Sequence, residues 1–386
     1  MKRKKICFVT TIGGTINAFL TGLAQYLVEK RHYDVTYICA PDNKLAESQN
    51  EHIHFLPVPM SRGINMDAFR VIGQLTRIFR EQQFDIVQYA TPNAALYASI
   101  AAKRAGVKNR LYTQWGIRYM GYDGGVRRWV FKTLEKMICS RSTVIECESF
   151  SLQDFSIAEG LYPARKSSVI GKGSACGVNL EKAEIDQRET WRKEIRSQLG
   201  IADDAFVFGY MGRITRDKGM NELIAAFREF QKSNSQAILL LVGGLDNEGT
   251  IEKDLFDWAK ESPKVLLPGR TSTPEKFYAA MDVFCSLSYR EGFGLVVIEA
   301  AAMALPAIVT NVPGQRDTII EHETGISVNA KEVKPVVEAM RFYVSHKSET
   351  IDMGKKARRN VEDNYEQQGL FKLLADHRDM IIDSTN

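Results

Sequence analysis

The 386 residues contain nothing close to the ~18 uninterrupted apolar residues of a membrane-spanning helix, so no transmembrane segment is predicted. The opening Met1-Lys-Arg-Lys-Lys5 could pass for the basic start of a signal peptide. The apolar run behind it, Ile6 to Thr11, stops at Gly13-Gly14 without a small-residue cleavage site, so a first β-strand is the better reading. Cysteine is sparse: Cys7, Cys39, Cys139, Cys147, Cys176 and Cys285 lie far apart and form no CxxC pair. That speaks against a zinc site or disulfide framework and for a reducing cytosol. DxD, HExxH and Cys/His clusters are all missing, and with them the short-spaced ligands a bridging metal needs. Neither GxGxxG nor a P-loop occurs. Gly171-Lys-Gly-Ser-Ala-Cys-Gly177 misses the dinucleotide spacing by one residue, which weakens a dehydrogenase reading. No repeat or low-complexity stretch is visible.

What is present is an ordinary globular composition, 44% hydrophobic and 25% charged, which excludes a disordered, collagenous or coiled-coil chain. At ~150 residues per domain, the length predicts two domains. Charge is unevenly spread between them. Residues 1–175 carry 24 Lys and Arg against 14 Asp and Glu, a balance of +10, whereas the remainder carries 27 against 33, a balance of −6. The first half is therefore expected to face an anionic partner. Its densest stretch, Arg127 to Arg141, holds five basic residues and one acidic one. Val130, Leu134, Met137 and Ile138 recur there at helical spacing. A core-facing helix with a solvated basic back is the bland reading. The sharper one makes Arg127, Arg128, Lys132 and Lys136 a surface for anionic phospholipid or a lipid diphosphate. Nucleic acid finds no support, because no stacking-aromatic module accompanies the charge.

Short β-rich runs alternate with helical patterns twice over. Strands are predicted at Lys5–Thr10, Val35–Cys39, Ile53–Pro57, Asp85–Tyr89, Arg110–Thr113 and Thr143–Cys147, with helices at Thr15–Lys30 and Asp67–Gln82. The second set has strands at Phe206–Met211, Ala237–Val242, Lys264–Leu267, Val283–Ser286 and Ala307–Thr310, and helices at Met220–Lys232, Thr250–Glu261 and Leu295–Ala304. Strand–helix alternation implies parallel sheets with crossover helices, a doubly wound α/β fold. Glu181–Gly200, polar and charged, reads as a hinge or domain entry segment. Ligands in such folds sit beyond the carboxyl ends of strands.

Three segments at such ends carry chemistry. Thr10-Thr-Ile-Gly-Gly-Thr15 allows close backbone approach to an anion, with Gly14 the candidate, although a plain strand–helix turn fits as well. Gly209 to Gly219 places Arg213 and Lys218 after a strand, two cations able to clamp a diphosphate and neutralise charge on a phosphate leaving group. Tyr289 to Ala300 is the most specific. Glu291 lies in a glycine-rich turn, and Glu299 follows eight residues later among Val296, Val297, Ile298 and Ala300. A carboxylate in such surroundings needs a partner, such as a vicinal diol or an arginine. The N–H groups of Phe293, Gly294 and Leu295 at a helix start suit a phosphate or sugar hydroxyl.

The Glu291/Glu299 pair, Gly212-Arg213…Lys218-Gly219, the Gly-Gly after the first strand and Asn311-Val-Pro-Gly-Gln315 together resemble the retaining glycosyltransferases of family 4. The likeness spans essentially the whole chain and is most specific in residues 205–330. It implies the GT-B architecture: two doubly wound, Rossmann-like domains facing a central cleft. An acceptor- and membrane-facing domain would cover 1–175, with 365–386 packing back on it, and a nucleotide-sugar domain 176–364. Arg213 and Lys218 would bind the donor diphosphate, Glu299 the ribose and Glu291 the donor sugar, with Arg213, Lys218 and Glu291 catalytic. Many relatives carry a His-Gly whose histidine reaches a donor hydroxyl. Here Gln114-Trp115 stands at that place, and no histidine occurs between His54 and His322. Gln114 or Trp115 is thus the expected replacement.

The resemblance further implies a metal-independent, cofactor-free retaining transferase. It would take a nucleotide-sugar, UDP favoured over GDP and an N-acetylated or deoxy amino sugar expected. The acceptor would be a polyprenyl-diphosphate-linked sugar, at the cytoplasmic face of the membrane, in capsule-like surface polysaccharide assembly. A nucleotide-sugar epimerase or hydrolase on the same fold is the alternative, and a non-catalytic sugar-binding partner a third reading.

Overall fold

The computed structural model describes residues 3–47, 50–60, 67–122, 124–245 and 251–385. The chain divides into two compact units, one of Met1–Cys176 with Gln368–Asn386 and one of Gly177–Gln367.

The first unit runs β1 (Lys4–Val9), α1 (Gly13–Phe19), α2 (Thr21–Arg31), β2 (Tyr33–Cys39), α3 (Asn43–Ala46), β3 (Ile53–Pro57) and α4 (Ala68–Gln82). It continues through β4 (Ile86–Tyr89), α5 (Pro92–Arg104), β5 (Asn109–Gln114), α6 (Gly125–Arg141), β6 (Val144–Cys147), α7 (Phe150–Ala158) and β7 (Ser167–Val169). All seven strands are parallel, in the order β3-β2-β1-β4-β5-β6-β7. The order reverses between β1 and β4, the place where such sheets open a crevice for ligands. The helix expected over Thr15–Lys30 is two helices. They break at Leu20, where the Thr21 hydroxyl donates to the Ile16 carbonyl and competes with the regular ladder.

The second unit runs α8 (Arg188–Leu199), β8 (Val207–Met211), α9 (Met220–Phe230), β9 (Ile238–Val242), α10 (Lys253–Glu261), β10 (Val265–Gly269) and α11 (Pro274–Ala279). After it come β11 (Val283–Ser286), α12 (Leu295–Ala302), β12 (Ala307–Thr310), β13 (Gly325–Val328), α13 (Lys334–Ser345) and α14 (Lys347–Asn364). Its six parallel strands lie in the order β10-β9-β8-β11-β12-β13, with the reversal between β8 and β11. Successive strand residues feed opposite faces: Val207, Leu240, Phe284 and Val309 enter one core cluster, and Phe208, Leu239, Cys285 and Ile308 the other. A sheet buried on both faces explains why β9 reads Ile-Leu-Leu-Leu-Val without alternation. The last helix, α15 (Gln367–Asp383), falls largely in the first unit.

One segment corrects the sequence reading. Glu181–Gly200 is the entry to the second unit, as one of its two readings had it, but it is no flexible hinge, since most of it is α8. The Arg196 guanidinium is buried and donates to the Ala280, Ala202, Asp203 and Ala205 carbonyls and to Asp282 Oδ2 at 2.9 Å, while Arg192 pairs with Asp282 Oδ1 at 2.7 Å. The charges that suggested a linker tie α8 to the second unit.

Candidate functional site

The second unit gathers polar groups on the two loops that flank its reversal point. Beyond β8, the Tyr210 hydroxyl donates to the Arg213 carbonyl at 2.6 Å. The Arg213 side chain is exposed and has no partner among the described residues. A 3-10 turn over Arg216–Lys218 follows, ending at Gly219 with φ +73°. A Cβ at Gly219 would lie 2.1 Å from the Leu287 carbonyl oxygen, so only glycine lets this loop press on the strand end of β11. Asp217 accepts from the Thr215 hydroxyl at 2.6 Å. Burial alone would raise its carboxyl, but that bond and the Lys218 and Arg213 charges hold it below the usual range.

Beyond β11, Glu291 Oε1 receives Lys218 Nζ at 2.5 Å, with both side chains about four-fifths shielded from solvent. An ammonium carries three donors, so Lys218 can hold Glu291 and still offer protons to a phosphate. The turn around Glu291 is closed by Gly314 at φ +90°, where a Cβ would lie 2.5 Å from the Gly292 carbonyl and 2.6 Å from that of Glu291. Gln315, fully buried, donates to the Ser286 carbonyl and accepts from the Thr310 hydroxyl at 3.0 Å, stitching the ends of β11 and β12 together.

Phe293, Gly294 and Leu295 lead into α12, and no described group accepts from their backbone N–H groups. The Phe293 ring is buried against Tyr365, so only its backbone is free for a ligand. Glu299, on α12, accepts at Oε2 from the Tyr278 hydroxyl of α11 at 3.1 Å, and its Oε1 has no partner among the described residues. Burial pushes this carboxyl up, opposed by the Tyr278 bond. A half-satisfied carboxylate at a ligand edge is what a ribose diol would complete.

The residues expected from the first unit fare differently. Gly14 lies in α1 with nothing within 4 Å of where a Cβ would stand, leaving its backbone open. Gln114 is fully buried: Nε2 donates to Glu135 Oε1 at 2.8 Å, and Oε1 accepts from the Tyr162 and Ser156 hydroxyls at 2.9 and 3.0 Å. Fully buried and bonded to groups of its own unit, it presents no surface to a donor sugar. Trp115 is half-buried, its ring 5.2 Å from that of Phe19. On α6, Arg127 and Lys136 are exposed. Arg128 and Lys132 instead converge on Glu159 at 3.1 and 2.6 Å, and Arg128 also donates to the Tyr119 and Tyr122 carbonyls. Among the described residues, Arg127 and Lys136 thus keep free charges where four were expected, because Glu159, just past α7, engages Arg128 and Lys132.

Sequence reasoning gave no role to Tyr278 or Glu135, and it singled out the Asn311–Gln315 loop without assigning Gln315 its buried bonds. A polar residue in such a segment signals little until its partner is seen. Among the described residues no group of three or more His, Cys, Asp or Glu side chains could hold a metal ion, and no helix is long and apolar enough to cross a membrane.

Comparison with known proteins matches residues 192–360 to the family described as glycosyl transferases group 1, and residues 5–149 to the glycosyl transferase 4-like family. The capsular polysaccharide biosynthesis glycosyltransferase CapM of Staphylococcus aureus is 31% identical over 374 residues, covering 97% of this chain and 96% of that one. The UDP-Gal:alpha-D-GlcNAc-diphosphoundecaprenol alpha-1,3-galactosyltransferase of Escherichia coli is 23% identical, covering 92% and 91%. Among solved structures, Anabaena Alr3699/HepE in complex with UDP superposes with a TM-score of 0.76 at 16% identity, covering 97% and 99%. That likeness carries the fold, two Rossmann-like domains of GT-B type.

Proposed function

This chain belongs to the group 1, family-4-like glycosyltransferases, and we propose that it moves a sugar from a UDP-sugar to a polyprenyl-diphosphate-linked saccharide in surface polysaccharide assembly. The observation that carries this reading is the set of unfilled groups around the β8/β11 reversal: a free Arg213, Lys218 with spare donors, and Glu299 with a vacant oxygen. Cations there suit a diphosphate and the carboxylate a ribose. The relatives' names supply the direction, since one acts in capsule biosynthesis and another uses UDP-galactose with a diphosphoundecaprenol-linked acceptor.

In the proposed reaction, the acceptor hydroxyl oxygen bonds to the anomeric carbon while the bond from that carbon to the diphosphate oxygen breaks. The bonding pair leaves with the diphosphate, whose oxygen takes the acceptor's proton. Attack from the leaving-group side retains the anomeric configuration. Arg213 and Lys218 stabilise the charge that grows on the diphosphate, a task they do without a metal or other cofactor. Glu291 holds Lys218 and meets the donor sugar, for which an N-acetylated or deoxy amino sugar is our choice. The protein works at the inner membrane face, where its acceptor lies.

The test is transfer from a panel of UDP- and GDP-sugars to a synthetic polyprenyl-diphosphate saccharide, with and without excess EDTA. We expect turnover with a UDP-sugar, an unchanged anomeric configuration by NMR, and no loss to chelator. Donor consumption with water or epimerisation as the sole product would replace the transferase reading. Inversion, or activity restored only by magnesium or manganese, would overturn the mechanism while leaving the transfer.

A further inference from the structure

The first unit holds a cavity of about 180 Å3 that the reaction above does not use. Leu96 of α5 and Phe131 and Leu134 of α6 give it apolar walls, and Asn93, Arg118 and Glu135 give it polar ones. Glu135 is 7% exposed. Its Oε1 takes both available bonds, from the Tyr112 hydroxyl and Gln114 Nε2 at 2.8 Å each, and its Oε2 has no partner among the described residues. No cation pairs with it there, and burial pushes its carboxyl up. Arg118, exposed, lays its guanidinium 4.2 Å above the Phe131 ring and has no carboxylate partner among the described residues. A buried carboxylate with an unused oxygen calls for a donor that the protein does not supply.

The cavity's place in the fold points the same way. It begins beyond the carboxyl end of β4, beside the reversal of the first sheet. Thr91, the residue before α5, sits at φ +65°, a region a threonine rarely adopts. It is held there by Thr11, whose N–H donates to the Thr91 hydroxyl at 3.1 Å while the two hydroxyls lie 2.9 Å apart. Backbone strain at this spot fixes where α5 starts, and with it Asn93 and Leu96.

At ~30 Å3 per water the space equals about six waters, too little for a nucleotide and right for one pyranose ring. A phosphate would meet Glu135 as a like charge, and a hydrocarbon chain would leave Oε2 unbonded. A sugar ring satisfies both kinds of wall, hydroxyls toward Glu135 and Arg118 and C–H groups toward Leu96 and Leu134.

We infer that this cavity seats the terminal sugar of the acceptor, with Glu135 Oε2 accepting from a ring hydroxyl. The assignment rests on the transferase reading above for the word acceptor, and on the cavity alone for the sugar.

Ligand-observed NMR on the whole chain, using the methyl glycosides of glucose, galactose, N-acetylglucosamine and N-acetylgalactosamine, tests it. At least one should bind saturably, with its Kd raised tenfold or more by Glu135→Gln and by Leu96→Trp, which fills the space. The glutamine keeps an oxygen for Tyr112 and Gln114, so a merely structural glutamate would tolerate it, and native-state hydrogen exchange of the first unit's strands reports that the variants keep that unit folded. No glycoside binding to the wild type, or binding untouched by Leu96→Trp, overturns the seat. Nucleotide-sugar turnover in the same preparations separates the two readings. Turnover without a glycoside seat leaves the transferase standing, whereas a glycoside seat without turnover on any acceptor keeps the sugar site and removes the transferase.

Discussion

Lys218 and Glu291 come from loops that follow different strands, yet they form one ion pair, so their contributions to turnover cannot be independent. In the proposed reaction, removing Lys218 would leave a shielded carboxylate facing the donor diphosphate, adding repulsion to the lost attraction. Lys218→Ala should therefore lower kcat by ~30- to 1,000-fold, the ~2–4 kcal/mol of a lost transition-state donor. Lys218→Ala combined with Glu291→Gln should lose less than the product of the two single losses. Glu299 differs: its free oxygen is proposed for the ribose, so Glu299→Gln should weaken UDP and UDP-sugar alike by about tenfold. Glu291→Gln should spare UDP and harm only the UDP-sugar. Calorimetry with both ligands checks this, and equal losses in both variants would reject the division. Lys218, Glu291 and Glu299 were legible in the sequence, the first two as charges in glycine-bearing turns beyond a strand and the third as a carboxylate inside an apolar helix. Glu135 was not. It is the one acid in a basic helix and reads as solvated, and only the fold shows it turned inward to Tyr112 and Gln114.

At the scale of elements, α15 shows how one helix is fastened. Arg378, 1% exposed, grips Glu146 of β6 through Nη1–Oε2 at 2.5 Å and Nη2–Oε1 at 2.8 Å, and also donates to Gln88 of β4. His377 lies 2.9 Å from the same carboxylate. Burial alone would raise the Glu146 carboxyl, but the Arg378 charge and the bonds from His377 and Arg378 outweigh it and hold it at about 2. A folded-state value below the unfolded one stabilises at neutral pH, and that gain is lost as pH falls from the ordinary 4.5 toward 2. Glu146→Gln should cost about 3 kcal/mol at pH 7, and its urea midpoint should change less than that of the wild type between pH 5 and 3. Parallel curves would show that the pair does not drive the acid response. Little of this was legible. The existence of β1 to β6 and β8 to β12 was, because they are short runs of aliphatic, β-branched and aromatic residues, whereas α5, α7, α11, α13 and α14 were not assigned. The three-residue β7 and the Gly325–Val328 strand β13 are too short and too polar or glycine-led to stand out. The α8 segment misled for another reason: buried arginines spend their charge on carbonyls and Asp282, which composition cannot reveal.

For the molecule as a whole, the units sharpen the charge asymmetry into a property of folded bodies. The first unit carries 26 Lys and Arg against 17 Asp and Glu, a balance of +9, and the second 25 against 30, a balance of −5. The three aspartates that α15 brings to the first unit do not cancel its excess, and Asp376 and Asp379 are already paired with Arg31 and Lys4. Charge of this kind would draw the unit to an anionic surface, and α6 shows where. Val126 and Trp129 are 77% and 68% exposed, and with Thr133 and Lys136 they follow one side of the helix at spacings of three and four. An exposed tryptophan beside Arg127 and Lys136 has the make-up of an interfacial anchor, apolar at its tip and cationic at its flanks. Each free cation near an anionic surface contributes ~1 kcal/mol, so Arg127→Glu with Lys136→Glu should weaken binding to vesicles of mixed phosphatidylglycerol and phosphatidylcholine at least tenfold. Arg128 and Lys132 make poor test sites, since reversing them sets like charges against Glu159 and unsettles the helix itself. Trp129→Ala should weaken binding in low salt while leaving most of the salt dependence, because it removes burial and not charge. Tryptophan emission is the direct readout. A blue shift on adding vesicles that vanishes in Trp129→Ala places α6 at the interface. Co-sedimentation that is absent in low salt, or that neither high salt nor the double reversal disturbs, would reject a charge-driven membrane contact through α6.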